Sequence, residues 1–237
     1  MAEGERHLIH GQINTDIERP PRELLDAFAK HETAKVADAM AGYGAMHYAI
    51  KPLTPDMRFA GSALTILADP GDTLFVQKAI DLAQAGDIVV IDAGGVEHVA
   101  VVGERLAYYY QRNRAVGLVC DGAIRDSQGI VDLQFPTFTR STCISVLGSN
   151  GPGAINVPIQ CGGILVNPGD ILIGDRDGVV VVPRSDAERV LKLADEHLEG
   201  ELARVREIES GASMEVVYGV DSKIEKWAGN SSSQDHR

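Results

Sequence analysis

The stretch Asp121-Gly-Ala-Ile-Arg-Asp126 follows an apolar run, Val116-Gly-Leu-Val-Cys120, and ends with a cation and an anion side by side. Neighbours on a helix do not face each other, so the pair is not an ordinary helix salt bridge. One reading makes Asp126 the N-cap of a short helix, Ser127-Gln-Gly-Ile-Val-Asp-Leu133. The other points each charge at a ligand. Arg125 offers a planar fork suited to a carboxylate or a 2-oxo acid. Asp126 offers a hard oxygen, and Mg²⁺ needs only one or two carboxylates while keeping several waters.

A second candidate lies where the apolar strand 87–92 runs into glycines and a helix begins near Gly103. A helix N-terminus presents unpaired amides and a partial positive charge, which suits a carboxylate. A glycine at its start lets a ligand come close to the backbone. An ordinary strand-to-helix connection is the competing reading.

Other chemistry-bearing patterns fall away. The run Gly148-Ser-Asn-Gly-Pro-Gly-Ala-Ile155 has neither the Lys-Ser/Thr of a P-loop nor a dinucleotide fingerprint, and reads as a surface loop. The histidines show no HxH or HExxH spacing. No GxSxG elbow is present, and Cys120, inside an apolar strand, reads as inert core.

The elements that must position these residues alternate. Helices are expected after Pro20-Pro21, with Leu24, Leu25 and Phe28 on one face, and again from Thr33 as N-cap to a stop at Gly42 and Gly44. Strand 59–68, a helix from Asp72 closed by Gly86, strand 87–92, helix 103–115, strand 117–122, a short helix and the strand at Pro136–Arg140 follow. This alternation predicts an α/β layered core. Short β segments come next, with Asp177-Gly178 marking a tight turn between two strands. A long amphipathic helix spans 185–210, with a Ser185/Glu188 capping box and an apolar stripe at Val190, Leu191, Ala194, Leu198 and Leu202. No repeat or linker interrupts the chain, so one domain over 1–237 is expected, with a frayed polar tail at 231–237.

Composition limits the partners. Thirty-four acidic against 22 basic residues give a formal charge of −12 over 237 residues, which disfavours nucleic acid and anionic membrane surfaces. The N-terminus shows no apolar signal segment, and no run of about 18 apolar residues exists to span a bilayer. The cysteines (Cys120, Cys143, Cys161) are three in number, without CxxC spacing. They fit a reducing cytoplasm.

Gly117-Leu-Val-Cys-Asp-Gly-Ala-Ile-Arg-Asp126, with Asp92-Ala-Gly-Gly95 and Val101-Val-Gly-Glu-Arg-Leu-Ala107 before it and Val166-Asn-Pro-Gly-Asp-Ile-Leu-Ile-Gly-Asp-Arg-Asp-Gly-Val-Val-Val-Val-Pro183 after it, resembles the RraA-like class II pyruvate aldolases. That family cleaves 4-hydroxy-4-methyl-2-oxoglutarate and 4-carboxy-4-hydroxy-2-oxoadipate in aromatic-acid catabolism. The likeness runs from about Glu32 to Gly219. The stretch Ile155–Asp170 is similar to the carboxy-hydroxy-oxoadipate branch.

The resemblance implies an α/β sandwich of the swivelling-domain-like type, with N-terminal helices and a long C-terminal helix, assembled as homotrimers or homohexamers with sites at subunit interfaces. It implies that the amides of Gly103, Glu104, Arg105 and Leu106 hold a pyruvyl carboxylate, and that Arg125 binds the 2-oxo acid and the developing enolate. Asp126 would hold Mg²⁺ or Mn²⁺, Glu104 would stand near the metal, and Glu201 would reach a neighbouring subunit's site. The substrate class is a small 4-hydroxy-2-oxo acid, with oxaloacetate decarboxylation as a side activity. The family also contains a branch that inhibits a ribonuclease and lacks the acid after the arginine, whereas Asp126 is present here. A dedicated oxaloacetate decarboxylase would share every one of these residues. The methyltransferase name carried by some relatives finds no S-adenosylmethionine fingerprint in this chain.

Overall fold

The computed structural model describes residues 9–231. The polar tail beyond Ser231, and most of the N-terminal stretch read for a signal segment, lie outside the described residues. The chain groups into two compact units, Met1–Ala194 and Asp195–Arg237.

In the first unit, one mixed sheet carries the architecture. Its strands are β1 (Lys51–Pro52), β2 (Phe59–Ala68), β3 (Asp87–Asp92), β4 (Ala100–Val102), β5 (Gly117–Ile124), β6 (Thr137–Thr142), β7 (Gly153–Ile155), β10 (Ile171–Asp175) and β11 (Gly178–Val182). The order is β1-β6-β5-β3-β2-β10-β11, with β4 on β5 and β7 on β2. The central run β6-β5-β3-β2 is parallel, β1, β7 and β10 join it antiparallel, and β11 pairs antiparallel with β10. Strands β8 (Ile159–Cys161) and β9 (Ile164–Val166) form a separate hairpin.

A parallel sheet is stable only with both faces covered, and β3 shows how the sequence meets that demand. Val89 and Ile91 face one side and Ile88 and Val90 the other, all fully buried. On the first side lie α3 (Leu74–Ala79), α4 (Glu104–Arg112) and α5 (Ser127–Asp132), through Val76, Ala79, Ala107, Tyr110 and Ile130. On the second lie Met46, Ile50 and the β8–β9 hairpin. A third cluster covers β10 and β11 with α1 (Arg22–Phe28), α2 (Thr33–Ala39) and the start of α6 (Ala187–Glu209). Each large aliphatic side chain so buried contributes roughly 1.5–3 kcal/mol. The predicted α/β architecture with N-terminal helices and a long C-terminal helix is the one observed.

Several local expectations shift. Thr33 is the first helical residue of α2 rather than its N-cap, because the cap comes from elsewhere. Asp175 accepts from the Thr33 amide at 2.8 Å and from its hydroxyl at 2.7 Å, satisfying a helix-end donor across 142 residues of sequence. The helix after Asp72 is short, ending at Ala79 in a 3-10 turn, Ile80–Leu82. Ser185 sits inside the 3-10 turn Arg184–Asp186, displaced from the cap of α6. The Asp177-Gly178 signal holds: Asp175 pairs with Gly178 across a two-residue loop.

The second unit continues α6 from Asp195 and adds α7 (Met214–Tyr218) and α8 (Val220–Ser231). Ser213 caps α7 by accepting from the Val216 amide. Glu215 ties α7 to α8 through Ser222 Oγ at 2.6 Å and the Asp221 amide. The expected apolar stripe of α6 divides here: Val190 and Ala194 are buried, whereas Leu198 and Leu202 are exposed.

Candidate functional site

Strand β5 delivers the Arg-Asp pair to its carboxyl end, where open α/β sheets place ligands. Its pairing with β6 shifts register between Cys120 and Ala123, a bulge of the kind that re-aims side chains beside active sites. Asp126 then adopts a left-handed backbone, φ 55° and ψ 38°, a conformation that aspartate tolerates better than most residues. It stands at the N-cap position of α5, yet its carboxylate makes no cap hydrogen bond. Only its backbone carbonyl serves the helix, accepting from the Ile130 amide at 3.2 Å. The capping reading therefore fails. The left-handed turn instead brings the two neighbours together, Arg125 Nε to Asp126 Oδ2 at 3.3 Å, which a helix would forbid.

The Gly103 segment arrives at the same place. Strand β4 pairs in parallel with β5, and the Val102 carbonyl accepts from the Arg125 amide at 3.0 Å. Gly103 begins α4 and faces the Asp126 carboxylate so closely that a Cβ there would lie 2.6 Å from Oδ2. No side chain caps α4. The Leu106 and Ala107 amides both donate to the Gly103 carbonyl at 3.1 Å. Among the described residues, the amides of Glu104 and Arg105 are left as the orphan donors of that first turn. The Leu106 amide, expected to share a ligand carboxylate, is already engaged.

A cavity of about 820 Å³ opens here, within the range of small-molecule sites. Gly103, Arg105, Leu106, Arg125 and Asp126 all line it. Glu104 does not: its carboxylate lies directly over Gly129 of α5, in the space that a side chain at 129 would need. Glu201 belongs to the second unit, on the α6 stretch beyond Asp195. Among the described residues, no three His, Cys, Asp or Glu side chains gather as a metal cluster; the carboxylates on the cavity are Asp126 and Asp81, the latter paired with Lys78.

The opposite wall was missed by sequence reasoning. Gly148 and Ser149, from the run expected to be a plain surface loop, line the cavity together with Val146, Leu147, Thr73, Gln77 and Tyr109. The loop is laced to the α3 entry. Asp72 accepts from the Leu74 and Asn150 amides at 2.9 and 2.5 Å. Thr73 donates from both its amide and its hydroxyl to the Gly148 carbonyl at 3.0 Å. Burial alone would raise the Asp72 carboxyl, but the amides of Asn150, Leu74 and Gly151 outweigh it and hold it below the usual range. Tyr110, fully buried, donates its hydroxyl to the Val76 carbonyl and so fixes α4 against α3.

The first aspartate of the motif has a different task. Asp121 is 6% exposed. It accepts from Arg140 Nε and from the Gly162 amide at 2.6 Å, joining β5, β6 and the β8–β9 turn. Donating to the Asp121 carboxylate raises the Arg140 guanidinium further above its usual range. Burial pushes the Cys120 and Cys161 thiols well up, so neither is a ready nucleophile.

Residues 33–181 match the RraA-like family, described as Aldolase/RraA. The chain is 38% identical over 186 residues to a protein named putative 4-hydroxy-4-methyl-2-oxoglutarate aldolase from Halalkalibacterium halodurans, covering 78% of this chain and 89% of that one. A 4-hydroxy-4-methyl-2-oxoglutarate aldolase from Thermus thermophilus is 29% identical over 126 residues, 53% of this chain and 76% of that one. Among solved structures, Streptomyces coelicolor RraAS2, described as an unusual member of the RNase ES inhibitor RraA family, superposes with a TM-score of 0.72 at 29% identity. It covers 79% of this chain and all of that one. The chain belongs to the RraA-like aldolase family. Among the described residues, no helix is long and apolar enough to cross a membrane.

Proposed function

We propose that this chain is a divalent-metal-dependent pyruvate aldolase that cleaves 4-hydroxy-2-oxo acids. The substrates are 4-carboxy-4-hydroxy-2-oxoadipate, giving pyruvate and oxaloacetate, and 4-hydroxy-4-methyl-2-oxoglutarate, giving two pyruvates. The observation that carries the reading is one cavity lined by Arg125, Asp126, Gly103 and Arg105, with a carboxylate that caps nothing. Relatives named as 4-hydroxy-4-methyl-2-oxoglutarate aldolases support it.

The donor set fits Mg²⁺ or Mn²⁺: one hard carboxylate, half exposed, on a cavity with room for coordinating water. Asp126 would hold the ion, which when bound supplies Lewis-acid polarisation of the 2-oxo group. The amides of Glu104 and Arg105 receive the pyruvyl carboxylate at the positive end of α4. Arg125 orients the 2-oxo acid and stabilises charge that grows on its oxygen as the enolate forms. In the cleavage direction the C4 hydroxyl gives up its proton, C4 becomes a carbonyl, and the C3–C4 electron pair passes into the enolate, which is then protonated at C3. Decarboxylation of oxaloacetate runs through the same enolate, so it accompanies the main reaction. Among the described residues no lysine lines the cavity, which disfavours a Schiff-base route.

Glu201 is the further acid we assign to catalysis, acting at a neighbouring subunit's site in a cytoplasmic homotrimer or homohexamer, and Glu104, held over Gly129 and off the cavity wall, acts by positioning the start of α4. Pyruvate release should stop after EDTA treatment and return on adding Mg²⁺. Turnover that survives complete chelation would sink the metal mechanism. The competing reading, a regulator that binds a ribonuclease, draws on the relative described as an RNase ES inhibitor family member. Co-purification of a ribonuclease with a chain that releases no pyruvate would establish it instead.

A further inference from the structure

The cavity's charges are unevenly matched. Its lining holds two cations, Arg105 and Arg125, and two anions, Asp81 and Asp126. Asp81 is paired with Lys78 at 2.9 Å, and Asp126 with Arg125 at 3.3 Å. Arg105 has no ion pair among the described residues. Its guanidinium and that of Arg125 come from different elements, the first turn of α4 and the end of β5. Two like charges on one cavity repel each other, and a ligand with an anionic group for each relieves that repulsion. The volume, about 820 Å³, is also far more than a three-carbon pyruvyl group fills. The remaining lining mixes apolar groups such as Ile80, Leu106 and Leu147 with the neutral polar side chains of Thr73, Gln77 and Ser149, and offers a second carboxylate no other cation.

We propose that the Arg105 side chain is a specificity determinant: it binds the second, non-pyruvyl carboxylate, so the site selects 2-oxo acids carrying two carboxylates over those carrying one. This rests on the aldolase reading, in which Arg125 and the α4 amides take the pyruvyl end. Arg105 then acts twice, its amide on the near carboxylate and its guanidinium on the far one. A substitution removes only the second.

The test compares wild type, Arg105→Ala and Arg105→Lys in two assays with Mg²⁺ present. The first measures kcat/KM for 4-hydroxy-4-methyl-2-oxoglutarate, with two carboxylates, and for 4-hydroxy-2-oxopentanoate, with one. The second measures calorimetric affinity for 2-oxoglutarate and 2-oxobutanoate, which carry two and one. A charge-assisted hydrogen bond of ordinary strength corresponds to a selectivity ratio falling about 10²-fold in Arg105→Ala, with a smaller fall in Arg105→Lys, which keeps the charge and loses the fork. An unchanged ratio in both assays overturns the inference, as does a fall of equal size for one- and two-carboxylate ligands. If the chain releases pyruvate from neither hydroxy acid while Arg105→Ala still loses 2-oxoglutarate selectively, the aldolase reading fails and the carboxylate role of Arg105 stands.

Discussion

The motif Asp121–Asp126 uses arginine–aspartate pairing twice, for opposite ends. In the Asp121–Arg140 pair the side chains are 9% and 15% exposed, and Asp121 spends its second oxygen on the Gly162 amide. In the Arg125–Asp126 pair they are 35% and 45% exposed, and the Asp126 carboxylate bonds no amide of the helix it precedes. A desolvated pair with both carboxylate oxygens bonded is committed, because losing one partner strands a buried charge. An exposed pair at 3.3 Å gains little from its own attraction and can give up that contact for a ligand. Five positions of sequence take the chain from a clamp to a candidate site, and burial is what sets them apart.

The largest effect should come from breaking the clamp. Asp121→Ala leaves Arg140 unpaired and is expected to cost about 3–5 kcal/mol, read as a fall in the denaturant midpoint, with the β8–β9 hairpin gaining hydrogen exchange first. Breaking the exposed pair should do the reverse. Arg125→Ala is expected to lower kcat/KM about 10²–10³-fold, and Asp126→Asn to abolish metal-dependent turnover. Stability in both should stay within about 0.5 kcal/mol of wild type. A stability loss in Arg125→Ala as large as that in Asp121→Ala would erase the distinction.

Gly103→Ala sharpens the comparison from the side of the backbone. Its Cβ would meet the Asp126 carboxylate at 2.6 Å, so Asp126 must turn aside. An activity loss of about tenfold is expected, since small misplacements at a reacting centre are costly, with little change in melting temperature. The smallest effect concerns acid. Burial works to raise Asp175, but the amide and hydroxyl of Thr33, the Asp177 amide and Arg58 prevail and hold its carboxyl below the usual value. A lowered folded value means that this stabilisation is fully present above the unfolded carboxylate pKa, near 4. It is lost as pH falls through the depressed folded value. Thermal unfolding between pH 6 and pH 2.5 should therefore show a steeper acid decline in wild type than in Asp175→Asn.

Sequence reasoning reached what is written locally. The continuous apolar run Ile88–Ile91 announces a strand buried on both faces, whereas the contiguous Arg125-Asp126 after a strand leaves a ligand site and a helix cap equally open until the family resemblance is added. The rest depends on partners far along the chain. Thr33 looks like a cap because its type is right, yet the cap is Asp175, 142 positions away. The loop Val146–Ser149 has no periodicity to read, and its place on the cavity comes from bonds to Asp72 and Thr73, 75 to 78 positions away. Glu104 was legible as an acid beside Gly103. That it would lie over Gly129 instead of the cavity follows from a glycine that looks, in sequence, like an ordinary helix residue.

The left-handed backbone at Asp126 limits how this chain can drift. A β-branched or bulky residue at φ 55° would strain the turn, so the replacements that keep the fold intact are asparagine and glycine. Both erase the negative charge while leaving the sheet, the cavity and the Arg125 fork standing. Under the proposed mechanism a single codon change would thus silence catalysis without unfolding the scaffold, leaving a surface that could serve binding alone.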